Sequence, residues 1–164
     1  VAAPKGSIIA TGAYDHSIKI LDLENKTLIY SFFRVHQGTL LGTTVVNHYQ
    51  FLDCIRGLAW LAGGRYIVSS SEDKKSKIVD VTAKKVLDSL PHTQTSNKHN
   101  KTIIYISSNI EPIRSLVARA DDFKVATGSS DGCLEVFDLA DKGRVMLTRD
   151  IGESGKNYNC FLSR

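Results

Sequence analysis

Residues 66–81 read YIVSSSEDKKSKIVDV, and two other stretches align with them without a gap: IIATGAYDHSIKILDL at 8–23 and KVATGSSDGCLEVFDL at 124–139. The aspartates Asp15, Asp73 and Asp131 are spaced by 58 residues in both steps, and Asp22, Asp80 and Asp138 follow them by seven. Upstream, CIRGLAWLAGGR at 54–65 and PIRSLVARADDF at 112–123 keep the same register, pairing Ile55 with Ile113, Arg56 with Arg114 and Leu58 with Leu116. A fixed period of this kind marks a chain that stacks one supersecondary unit, each copy burying the next.

Within a unit the periodicity is that of strands. Runs rich in Ile, Val, Thr and Tyr are broken by Gly, Asp, Ser and Lys, and no amphipathic helix longer than two turns is present. In the first unit, residues 8–13, 17–22 and 27–32 read as strands, with 14–16 as a tight turn. An aspartate suits such a turn because its carboxylate accepts backbone N–H groups that the reversing chain leaves unpaired. In SIKILD, alternation sends Ile18 and Ile20 one way and Lys19 and Leu21 the other, as in a strand packed between two sheets. The expected fold is all-β, with about three four-stranded antiparallel meanders.

This pattern resembles the WD-repeat β-propeller family over most of the chain. The family's turn aspartate and closing Trp-Asp pair correspond to Asp15 and Asp22, Asp73 and Asp80, and Asp131 and Asp138, while the Trp position holds Leu21, Val79 and Phe137. Its Gly-His pair has loose counterparts in Val35-His36 and Pro91-His92, so the resemblance implies an incomplete form of the family's buried network of His, Ser or Thr, Asp and Trp. An apolar residue at the Trp position still fills the space between sheets. The family repeat is roughly 40 to 45 residues, which leaves insertions at 37–53 and 93–111, each with a β-prone stretch, at 40–46 and 102–107.

The chain reads as one partial propeller domain, 1–164, with repeats at about 1–54, 55–112 and 113–157 and the start of a further blade at 158–164. Three blades do not close a ring, since propellers use about 4 to 8. The missing blades are expected from the rest of a longer polypeptide, from a second copy or from another subunit.

The 164 residues, 42% hydrophobic and 23% charged, suit a folded globular domain. No apolar run reaches the roughly 20 residues of a membrane-spanning helix, so no membrane association is expected. Cys54, Cys133 and Cys160 are far apart and odd in number. They form neither a disulfide framework nor a zinc site, and a reducing compartment, cytoplasmic or nuclear, fits best. The sequons at Asn25 and Asn100 are set aside on the same ground.

The motifs of a nucleophile elbow, a dinucleotide loop and a phosphate loop are missing. His16, His36, His48, His92 and His99 lack metal-ligand spacing, and Asp121-Asp122 occupies a turn. No catalytic residue, metal or cofactor is expected. The resemblance instead points to binding: Tyr14, His16, Glu72, Lys74, Ser130 and Gly132 flank the turn aspartates, positions that in the family face the partner-binding surface. Arg56 and Arg114, at matching places near the entry of the innermost strands, either converge on a carboxylate or phosphate or bridge to a neighbouring blade. The net charge of +4 owes much to Lys74, Lys75, Lys77, Lys84, Lys85, Lys98 and Lys101. They form either a polyanion patch or solvated edge lysines. The leading expectation is a non-catalytic protein-interaction scaffold in a multiprotein assembly. The alternatives are an RNA-associated propeller using residues 74–101 and an enzyme with a pocket on the propeller face.

Overall fold

A computed structural model describes residues 1–4, 6–36, 54–90, 112–119, 123–130, 132–140 and 144–150. The first sheet contains β1 (Ile8–Gly12), β2 (Ile18–Asp22) and β3 (Thr27–Phe32). The second contains β4 (Ile55–Leu61), β5 (Tyr66–Ser71), β6 (Ser76–Asp80) and β7 (Lys85–Ser89), and the third β8 (Ile113–Arg119), β9 (Lys124–Ser129), β10 (Cys133–Asp138) and β11 (Arg144–Asp150). Each is an antiparallel meander in chain order, so every strand pairs with its sequence neighbour. The first sheet has three strands and the other two have four each. In place of a fourth, Ala2 makes a single bridge to Ile9, at the position where Trp60 faces Ile67 in the second sheet. The β-prone stretches at 40–46 and 102–107, and the start of a further blade at 158–164, lie outside the described residues.

The pleat distributes side chains as alternation requires. Ile18 and Ile20 are buried with Ala10, Phe32 and Val35 against Trp60, Ile67 and Val79 of the second sheet, while Lys19 and Leu21 on the other face of β2 are only half-buried. The opposite face of the second sheet places Leu61, Val68 and Leu90 against Val125 and Phe137 of the third. The middle sheet is thus buried on both faces. Val79 and Phe137, at the family's Trp position, are each fully buried, and burial of such a side chain contributes about 1.5–3 kcal/mol.

Two sets of aspartates close the turns. Asp15 accepts the Ser17 backbone N–H and hydroxyl at 3.1 and 2.5 Å, and Asp73 accepts the Lys75 N–H at 3.0 Å. Asp131 lies outside the described residues. At the other end of the sheets, Asp22 accepts the N–H groups of Glu24 and Asn25, Asp80 that of Ala83, and Asp138 that of Ala140. The same ends carry a backbone bond repeated three times in the 58-residue register: Leu23 to Ser7, Val81 to Arg65 and Leu139 to Phe123.

The buried polar network is fuller in the middle sheet than the loose His match implied. His36, with no exposed surface, donates through Nδ1 to the Asp73 carboxylate at 2.9 Å, and its Nε2 lies 2.8 Å from the Ser69 hydroxyl. Three of the four expected members are therefore joined, with Val79 replacing Trp. Because His36 follows β3 and Asp73 precedes β6, this network ties the first sheet to the second across the 37–53 insertion. His92 lies outside the described residues.

Candidate interaction surface

The turns β1–β2, β5–β6 and β9–β10 all lie at the end of the sheets where β4 and β8 begin. That places Arg56 and Arg114, each the second residue of its strand, beside residues 14, 72 and 130. Each arginine spans two consecutive turns. Arg56 donates through Nε to Glu72 Oε1 of its own sheet at 2.6 Å and hydrogen-bonds to Tyr14 of the preceding sheet, with its guanidinium 5.7 Å from the tyrosine ring centroid. Arg114 donates through Nε to the Ser130 hydroxyl of its own sheet at 3.0 Å and through Nη1 to Glu72 Oε1 of the preceding one. Tyr14, Arg56, Glu72, Arg114 and Ser130 thus form one polar line across three sheets.

Exposure is unequal along this line. Tyr14 is 61% exposed, the arginine side chains 33% and 37%, and Glu72 only 10%. Glu72 lies beneath the two guanidiniums, and the outward surface is cationic and aromatic. Burial disfavours the charge of Arg56, but the hydrogen bond and charge of Glu72, with help from Tyr14, outweigh it and raise the arginine pKa above its ordinary value.

His16 and Lys74, with Gly132 in the matching place, sit at the turn residue with φ of 65°, 68° and 88°. Their variety therefore has a backbone component: the turn needs a left-handed residue, glycine adopts it without cost, and His16 and Lys74 hold it under strain.

The lysines of the 74–101 stretch divide between two ends of the middle sheet. Lys74 and Lys75 lie in the β5–β6 turn, Lys77 lies on β6, and Lys84 and Lys85 lie at the β6–β7 turn, roughly 15 Å away along β6. Lys84 is engaged between sheets, 5.0 Å from the Tyr30 ring centroid. Lys98 and Lys101 lie outside the described residues.

Two features went unread in the sequence. One is the sharing of Glu72 by both arginines, which joins groups 16 and 42 residues apart. The other is the position just before β1 and β5, where Ser7 donates to Asp22 and Arg65 to Asp80 in the same register. The repeat alignment already placed residues 7 and 65 together, and that was the available signal. At the β6–β7 end lies an apolar pocket of about 290 Å³, lined by Tyr66, Ile78, Leu87, Phe123, Leu139 and Ala140. Among the described residues no cluster of His, Cys, Asp or Glu is arranged to hold a metal.

Residues 38–80 match the family model WD40, described as WD domain, G-beta repeat. Among solved structures the chain is similar to the WD40 repeats of RRP9, with a TM-score of 0.63 at 18% identity over 93% of this chain and 37% of that one. It is similar also to U3-55K, with a TM-score of 0.63 at 16% identity over 93% of this chain and 38% of that one. The chain therefore spans less than two fifths of either structure, and at these identities the likeness is one of fold. No curated relative matches the sequence. The segment 38–80 thus matches a WD40-repeat model, and the chain shares the fold of the blades in these WD40-repeat structures.

Proposed function

We propose that the chain is a non-catalytic interaction scaffold that presents the face formed by its β1–β2, β5–β6 and β9–β10 turns to other proteins of a larger assembly, in the cytoplasm or the nucleus. The observation that supports this reading is the continuous line of Tyr14, Arg56, Glu72, Arg114 and Ser130 across three sheets. Exposed Tyr and Arg, held by defined partners on a rigid framework, are the side chains that contribute most per residue to protein interfaces. The WD-repeat architecture is commonly used in this way.

The experiment is quantitative co-purification, with each recovered protein identified, for the wild-type chain, a Tyr14→Ala/Arg56→Gln/Arg114→Gln variant and a Lys84→Gln/Lys85→Gln variant. The expected result is loss of specific partners with the first variant and their retention with the second. Retention with both, or loss only with the second, overturns the assignment of this face. The division of the described lysines between two ends of one sheet gives less support to a polyanion track along them.

A further inference from the structure

Building on the reading of this turn face as the interaction surface, we propose that it selects an acidic peptide segment of its partner, whose carboxylate shares the guanidiniums of Arg56 and Arg114 with Glu72. Both arginines donate to the same oxygen, Oε1 of Glu72, so two positive charges are set against one negative. Lys74 and Lys75, in the adjoining turn, add to the cationic side. The remaining carboxylate of that turn, Asp73, is buried and directed to His36. The middle of the face therefore carries a net positive charge outward.

Donors remain to use that charge. A guanidinium has five N–H groups in a planar fork. Arg56 uses Nε on Glu72 and further capacity on Tyr14, while Arg114 uses Nε on Ser130 and one Nη1 bond on Glu72. Each side chain is about one third exposed, at 33% and 37%. A carboxylate accepts charge-assisted hydrogen bonds from the donors that remain on the two guanidiniums, and Glu72 holds both forks in place before the ligand arrives. Tyr14, 61% exposed beside Arg56, supplies an apolar and aromatic neighbour for the rest of the segment. A nucleic-acid backbone needs a track of cations, whereas one carboxylate side chain needs only the pair.

The test is fluorescence anisotropy with a labelled peptide of alternating Glu and Gly, compared with its Gln-Gly counterpart and a single-stranded oligonucleotide of matched charge. The Glu peptide binds and the Gln peptide does not, and Arg56→Gln or Arg114→Gln each weakens binding by about tenfold or more, the loss expected for a charge-assisted hydrogen bond. Glu72→Gln separates recognition from folding: it lowers the melting temperature yet tightens peptide binding severalfold, a combination that a purely structural role does not produce. Lys84→Gln/Lys85→Gln leaves binding unchanged. The proposal is overturned if the Glu peptide fails to bind, if Glu72→Gln weakens binding, or if the oligonucleotide binds more tightly than the peptide. Failure of the peptide while the turn-face variant still loses its cellular partners removes only the acidic chemistry. Retention of those partners removes the surface as well.

Discussion

Asp73 accepts a backbone N–H from two residues ahead and an imidazole N–H from 37 residues behind, and the two bonds differ in how far the sequence reveals them. The first is local: an aspartate at a tight turn is read from the turn itself, and the same holds for Asp15, Asp22, Asp80 and Asp138. The second depends on where β3 delivers His36, which no local pattern fixes. Removing one partner of such a buried pair leaves the other polar group unpaired. Asp73→Ala is expected to destabilise the fold by about 3 kcal/mol, checked by urea unfolding.

The turn aspartates Asp15, Asp22 and Asp80 give a pH dependence. The side-chain hydrogen bond from Ser17 lowers the Asp15 pKa, that from Asn25 lowers Asp22, and the Ala83 N–H, with Arg65 assisting against burial, lowers Asp80. A carboxylate with a folded pKa below its unfolded value contributes stability above the unfolded pKa and loses it as pH falls through the folded one. The melting temperature should therefore drop as pH falls below the ordinary aspartate value of 3.8, and Asp80→Asn should flatten that drop in a thermal melt followed by circular dichroism.

Strand β3 coincides with the run expected from alternation, β1 and β2 each fall one residue short of theirs, and the 58-residue register recurs in the pairing, because period-2 burial leaves a direct trace in the residues. Less legible were the irregularities. β4 and β8 each slip register one residue after their first pair, at Ile55/Gly57 and Ile113/Ser115. Gly57 also stands where space is short: a Cβ would lie 2.6 Å from the Ser70 hydroxyl oxygen and 3.1 Å from Leu116 Cβ of the next sheet. Such close approach of two innermost strands is a property of the packed pair and not of either segment. Gly57→Ala is expected to cost about 1–3 kcal/mol through overpacking, read as a lower urea midpoint, with Ser70→Ala in the same chain recovering part of the loss.

Among the described residues, the sheets hold one another through apolar layers and through polar ties that include the His36 network and the arginines that span consecutive turns. The layers were legible because the repeat fixed which residues are equivalent. The ties were legible only as candidate residues, since their geometry depends on the offset between sheets. Phe137 measures the apolar contribution: fully buried between the second and third sheets, it is expected on replacement by Ala to cost about 3–5 kcal/mol. That loss should appear as reduced amide protection in β5 and β9 together.

The functional account stands on one face of this stack, and amide hydrogen exchange of the chain with and without a co-purified partner tests it most directly. Binding should slow exchange at residues 13–17, 72–75 and 129–130 and leave 23–26 and 81–84 at the opposite end unchanged. Slowed exchange at 23–26 and 81–84, with none at the first set, would contradict the assignment of the Tyr14, Arg56, Glu72 and Arg114 face as the surface that meets a partner.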